Sequence, residues 1–238
     1  MKLSLPEEGI TILIDKPYGW TSFQLVNKTR WLLKQLTGNK KIKVGHAGTL
    51  DPLATGLMVL CAGKMTKSIA ELSGADKRYS ASLLLGYWSP SYDLEKKLIS
   101  VGCPPEYQEE KLNAVMDGFK GSIEQFPPIF SAKKVGGKKA YDLARDGKKI
   151  ELAANNVNIK SLEITKNNWP NLELDVLCSK GTYIRSLCHD IGVKYGTAGV
   201  MAGLRRTESG NFNIDSAVKL PQLYEHLKSL LSEHYPNS

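Results

Sequence analysis

Between Lys43 and Gly56 the chain reads Lys-Val-Gly-His-Ala-Gly-Thr-Leu-Asp-Pro-Leu-Ala-Thr-Gly. Three glycines and a proline in fourteen residues exclude a continuous helix and a long flat strand. Glycine lets the backbone approach a ligand closely, and Pro52 biases Asp51 toward extended geometry. The run therefore predicts a rigid loop that presents the Asp51 carboxylate instead of losing it on a helix surface.

The flanking sequence gives this loop a scaffold. Ile10, Ile12 and Ile14 alternate over Gly9–Asp15, which predicts a strand. A turn at Lys16–Trp20 leads to a helix capped by Thr21 or Ser22 and running to about Leu36. Leu57–Ala62 reads as an apolar strand, Met65–Leu72 as a helix ended by Gly74, and Arg78–Gly86 as an alternating strand. Beyond an irregular stretch, Tyr87–Pro105, the pattern predicts a helix over Glu109–Phe119 and a short one over Ala140–Asp146. Strands follow at Asn156–Thr165 and Asn171–Cys178, joined by a turn at Trp169-Pro170. A helix is expected from Ile184 to Lys194, a strand from Ala202 to Ser209, a short helix capped by Asp215, and a last helix over Leu220–His234. Helices and strands intermingle without a βαβ rhythm, so the expected class is a mixed α/β (α+β) fold with helices packed on the sheet.

The chain has 238 residues and a formal charge of +8, with a pI near 9.2. The distribution of charge is the stronger clue. Lys16 to Leu50 holds seven basic residues and no acid; Ser131 to Ile150 holds seven against Asp142 and Asp146. Two basic clusters flanking a glycine-rich loop predict a groove for RNA. The four cysteines are scattered, with no Cys-x-x-Cys pair and no metal-ligand spacing, and read as reduced thiols. Cys188 and His189 are helix neighbours that point different ways. No apolar run is long enough for a transmembrane helix, and the start lacks a secretory signal, so a cytoplasmic location is expected.

The loop as a block resembles the signature of the tRNA pseudouridine synthase B family. Three further stretches match that family in order: Asp15-Lys16-Pro17 with Gly19-Trp20-Thr21-Ser22; Asp76-Lys77-Arg78-Tyr79; and Ser179 to Leu187 followed by Gly203-Leu204-Arg205-Arg206-Thr207. The resemblance spans about Gly9 to Leu220. It implies the pseudouridine synthase fold, with a central, mostly antiparallel sheet flanked by helices, in one catalytic domain over residues 1–238. It also implies an RNA-gripping insertion at about 126–150. The chain departs from many members of that family in one respect: they carry a further C-terminal domain of the PUA type, and the residues after Leu220 are too few for one, so none is expected. Tyr87 to Gly102 follows the family pattern only loosely, and no functional residue is carried over from it.

The implied roles are specific. Asp51 is the catalytic carboxylate, Arg185 its guanidinium partner, and Tyr79 the aromatic that stacks on the target base. His46 fills the gap left by an extruded base, and Tyr183 and Leu204 line the uridine pocket. Lys16 adds positive potential, and Lys133, Lys134, Lys138 and Lys139 contact phosphates, each strengthening binding and steepening its salt dependence. The implied partner is tRNA at its T-loop and T-stem, with no membrane and no obligatory protein partner.

The isomerisation breaks N1–C1′, rotates the base and rejoins it through C5. Atoms are conserved and no electron is transferred, so neither a redox cofactor nor ATP is required. Asp51 could attack C1′ to form a glycosyl ester, as in retaining sugar hydrolases, or act as a base toward the 2′ hydrogen to give a glycal. Both routes require an ionised carboxylate, which a nearby guanidinium favours. A uridine in a folded loop must first be extruded. Two competitors are a non-catalytic RNA-binding or tRNA-folding protein on the same scaffold, and an acid–base hydrolase using His46 and Asp51. The first would not require Asp51, Tyr79 and Arg185 together; the second lacks a nucleophile elbow or metal-site spacing.

Overall fold

The computed structural model describes residues 3–131 and 152–233, together with the backbone of two short strands between them. In chain order the elements are β1 (Ile10–Lys16), α1 (Ser22–Thr37), β2 (Val44–His46), β3 (Thr55–Ala62), a 3₁₀ segment Gly63–Ser68, α2 (Ile69–Gly74), β4 (Lys77–Leu85), β5 (Tyr87–Trp88), β6 (Ile99–Ser100), α3 (Glu109–Asp117), β7 (Gly121–Gln125), β8 (Lys134–Val135), β9 (Lys138–Lys139), β10 (Asn155–Asn168), β11 (Asn171–Cys178), α4 (Ile184–Tyr195), β12 (Gly199–Ser209), β13 (Phe212–Asn213), β14 (Val218–Lys219) and α5 (Leu223–Glu233). The class is mixed α/β, as the sequence predicts. The chain forms two compact units, one of Met1–Lys77 with Arg205–Ser238 and one of Arg78–Leu204.

In the first unit the strand order is β14-β1-β3-β12. β1 runs antiparallel to β3 along its whole length, from Ile10↔Ala62 to Lys16↔Gly56. The parallel pairings, β1 with β14 and β3 with β12, are short. Ile10, Ile12 and Ile14 are buried, as their alternation predicts. β3 is buried almost continuously because both of its faces are covered. Ala47, Leu57 and Val59 form a core cluster with Leu13, Leu72, Phe212, Ile214 and Ala217. Helix α1 opens on a complete capping box: Thr21 Oγ1 accepts from the Gln24 amide, and the Thr21 amide donates to Gln24 Oε1.

In the second unit the order is β4-β11-β10-β7, with β10 antiparallel to both β11 and β7. Helix α4 lies unusually close to the start of β12. A Cβ on Gly192 would stand 2.3 Å from the Gly199 nitrogen, and one on Gly199 would stand 2.4 Å from the Cys188 carbonyl oxygen. Glycine in mid-helix costs about 1 kcal/mol relative to alanine. Here it buys an approach that any side chain would prevent.

Three local expectations are corrected. The helix expected over Met65–Leu72 is split, because Thr66 Oγ1 donates to the Gly63 carbonyl and the first part winds as 3₁₀. The strand expected from Ala202 begins earlier, at Gly199. The short turn at Ile214–Ser216 is capped by Asn213, whose side chain accepts from the Asp215 amide, so Asp215 is inside the turn and not its cap. The helix expected over Ala140–Asp146 lies outside the described residues.

Candidate active site

Asp51 sits between β2 and β3, on a loop whose backbone is fixed on both sides of it. Ser22 Oγ donates to the Leu50 carbonyl and accepts from the Leu50 amide, both at 2.9 Å. The Pro52 carbonyl accepts from the Gly19 amide at 2.9 Å and from Lys16 Nζ at 3.3 Å. The Asp51 carbonyl accepts from Ala54. The side chain of Asp51 is half-buried. A carboxylate carried on such a pinned backbone loses little freedom when a substrate arrives.

Two buried cations shape the field here. Lys16 Nζ donates to the Pro17 and Trp20 carbonyls as well as to Pro52, at 3.1 and 2.6 Å. Burial holds its pKa down at about 8, while the Asp51 carboxylate pulls it back up and the Arg206 guanidinium lowers it further. The Lys16–Asp51 attraction is reciprocal and favours the ionised carboxylate. Arg206 is almost completely buried. Its Nε donates to the Leu57 carbonyl at 2.7 Å and its Nη2 to the Gly48 carbonyl at 3.2 Å. Gly56 makes this possible: its φ is +100°, and a Cβ there would stand 2.3 Å from the Arg206 carbonyl oxygen. His46 is half-buried on β2. Burial, and after it the Arg206 guanidinium, pushes its imidazole below the usual range, so the ring is neutral at pH 7.

The second unit holds the other expected residues. Tyr79 is buried on β4. Tyr183 precedes α4, and Gln125 fixes its backbone from both sides: Gln125 Oε1 accepts from the Tyr183 amide at 2.7 Å and Gln125 Nε2 donates to its carbonyl at 3.0 Å. Leu204 is half-buried on β12. Arg185, in the first turn of α4, is buried. Its Nη1 donates to the carbonyls of Ser91 and Phe130 at 3.2 and 3.0 Å. Its Nε stands 3.7 Å from Asp93 Oδ2. Asp93 Oδ1 accepts from Ser91 Oγ and from the Glu95 amide.

The structure thus brings Lys16 and Asp51 together in one unit, and gives Arg185 a carboxylate partner, Asp93, in the other. Sequence reasoning missed three of these residues: Ser22, Arg206 and Asp93. Strand alternation was the available signal for Arg206, since adjacent arginines on β12 face opposite ways and one must turn inward. Lys133 and the side chains of Lys134, Lys138 and Lys139 lie outside the described residues. Among the described residues no cluster of His, Cys, Asp or Glu could hold a metal ion, and no helix is long and apolar enough to cross a membrane.

A model of the TruB family pseudouridylate synthase N-terminal domain matches residues 34–184, and one of the tRNA pseudouridylate synthase B C-terminal domain matches residues 185–235. The chain belongs to the TruB family of pseudouridylate synthases. It is 45% identical over 93% of its length to the tRNA pseudouridine synthase B of Phocaeicola vulgatus, covering 94% of that protein. The corresponding figures for the Flavobacterium johnsoniae protein of the same name are 43%, 93% and 97%. Among solved structures, a Cbf5–Nop10–Gar1 complex aligns with a TM-score of 0.71 at 26% identity, over 98% of this chain and 61% of that one. An H/ACA ribonucleoprotein bound to a substrate RNA containing 2′-deoxyuridine aligns with a TM-score of 0.67 at 26% identity, over 98% and 56%. The TruB-family chain therefore spans less than two thirds of those longer chains, while it covers nearly all of the Phocaeicola vulgatus and Flavobacterium johnsoniae proteins. As a pseudouridine synthase it is an isomerase.

Proposed function

We propose that the chain converts uridine to pseudouridine in the T-loop of tRNA, with Asp51 as the catalytic carboxylate. One observation carries this reading. Asp51 stands on a loop whose backbone is pinned at Leu50 and Pro52, within the field of the buried Lys16 ammonium. The matching bacterial relatives are named for tRNA, which supplies the substrate class.

In this reading the target uridine is turned out of the RNA and its base stacks on Tyr79, which returns about 1–3 kcal/mol against the unstacking cost. The N1–C1′ bond breaks with Asp51 either bonded to C1′ or having taken the 2′ hydrogen. The detached base turns within a pocket lined by Tyr183 and Leu204. C5 then bonds to C1′ as the Asp51 ester breaks or the 2′ hydrogen returns from Asp51, C5 loses its proton and N1 takes one up. Arg185 keeps the reacting carboxylate ionised and oriented, and Asp93 holds Arg185 in place. His46, neutral and half-buried, occupies the space the base vacates. Lys133, Lys134, Lys138 and Lys139 hold phosphates.

The test is to incubate the protein with unmodified tRNA transcripts and map every isomerised uridine. The expected result is one T-loop position, lost when that uridine is replaced. Isomerisation elsewhere, with the T-loop untouched, would overturn the assigned target.

A further inference from the structure

The first unit contains a recess beside the Asp51 loop. It has a volume of about 730 Å³, and Asp51 is not among the residues that line it. That size suits a small organic ligand. Its walls come from the end of β1, the following turn, α1, β12 and the β14–α5 junction.

Charge and shape together restrict the occupant. Four cations line the recess, Lys16, Lys28, Arg205 and Lys219, against one carboxylate, Asp15. Both oxygens of Asp15 are taken by Arg205, at 3.0 and 2.9 Å. The β1–β14 register sets Lys219 directly beside Asp15, yet neither Lys219 nor Lys28 pairs with a carboxylate among the described residues. The recess therefore favours an anion. Its remaining walls include the rings of Trp20 and Tyr224, which suit a flat apolar body. Nearby on the turn and on α1, Tyr18, Phe23 and Trp31 are 64%, 68% and 53% exposed, and Lys28 Nζ lies 4.7 Å from the Trp31 ring centre. Exposed rings among unpaired lysines are the surface chemistry of single-stranded nucleic-acid binding. The recess also adjoins the catalytic loop, since Lys16 Nζ donates to the carbonyls of both Trp20 and Pro52.

We propose that this recess takes one unpaired nucleotide of the RNA substrate, distinct from the uridine that reacts. The base lies against Trp20 and Tyr224, and its phosphates meet Lys28 and Lys219. The proposal rests on the RNA-isomerase reading above and adds to it a second nucleotide site. A bare phosphate would leave the aromatic walls without a role, and an uncharged apolar segment would leave the lysines without one.

The test is equilibrium binding of an unmodified tRNA transcript to the full chain across a salt series, with pseudouridine formation read separately. The variants are Lys28→Ala, Lys219→Ala, Tyr224→Ala and Tyr224→Phe. All three positions are exposed, so folding is not at stake, and thermal melts confirm it. Each lysine variant is expected to flatten the salt dependence by about 0.7 in log–log slope. Tyr224→Ala is expected to weaken binding about 5- to 100-fold with the slope unchanged, and Tyr224→Phe to restore affinity. Reduced affinity in this pattern supports the site whether or not the wild type turns over. Unchanged affinity and slope in every variant, with the wild type isomerising its tRNA, overturns the second site alone, as it would if a protein segment filled the recess. Failure of the wild type to bind tRNA overturns both readings.

Discussion

The Asp51 loop and the Arg185 nest fix a charged group by opposite means. Around Asp51 the protein fixes the backbone, through Ser22 on Leu50 and through Gly19 and Lys16 on Pro52, and leaves the carboxylate half-buried. Around Arg185 it fixes the charged group itself, burying the guanidinium against Asp93 and two carbonyls. The difference matches the tasks proposed for them. A group that reacts must stay accessible and lightly solvated, whereas a group that orients another can be locked at both ends. The first arrangement spreads its energy over several bonds to the backbone; the second centres on a buried ion pair.

That contrast can be broken experimentally. The largest stability loss is expected for Asp93→Ala, which removes a carboxylate partner from a buried guanidinium and should cost about 3–5 kcal/mol in denaturant unfolding. A loss under about 1 kcal/mol would show that the pair is not what holds the nest. Arg206→Met comes next. It removes the Arg206 bonds to the Leu57 and Gly48 carbonyls and should cost about 2–3 kcal/mol by the same measurement, with kcat falling because the loop beside His46 relaxes. Ser22→Ala removes both bonds to Leu50 and should cost only about 1–2 kcal/mol. If backbone pinning is what prepares Asp51, this small loss should be accompanied by a drop in kcat of about tenfold or more with KM nearly unchanged. A variant with normal kcat would show that the pinning is merely structural.

A separate expected effect is one of pH. The folded protein holds Lys16 with a pKa of about 8 against 10.5 unfolded, so between those values the folded state carries fewer protons. Stability should therefore rise with pH across that window, because the cost of burying the charged ammonium fades. Thermal melts from pH 7.5 to 10.5 should show this rise in the wild type and its absence in Lys16→Met. Identical slopes in the two proteins would remove the special status of this lysine.

Much of this was legible in the sequence, and the reason is local periodicity. The alternation of Ile10, Ile12 and Ile14, the Thr21–Gln24 capping box, and the glycine–proline loop around Asp51 are each decided by neighbours a few residues away. What escaped depends on distant partners. Ser22 reads as a helix cap, and nothing near it announces that its hydroxyl binds Leu50, 28 residues on. Asp93 lies in an irregular stretch, and its partner is on a helix 92 residues later. Thr66 lies in a 3₁₀ segment and bonds the Gly63 carbonyl through its side chain, which propensity does not weigh. The TruB-family resemblance supplied the roles of Tyr79, Tyr183 and Leu204, whose local patterns alone describe only strand and helix-start residues.

The central claim is that the Asp51 carboxylate drives the isomerisation. Asp51→Asn keeps the size of the side chain and removes its charge. Incubated in excess with tRNA carrying C5-tritiated uridine, the variant should release no tritium above background while binding the tRNA within a few-fold of wild type. Substantial tritium release by the folded, RNA-binding variant would contradict the account.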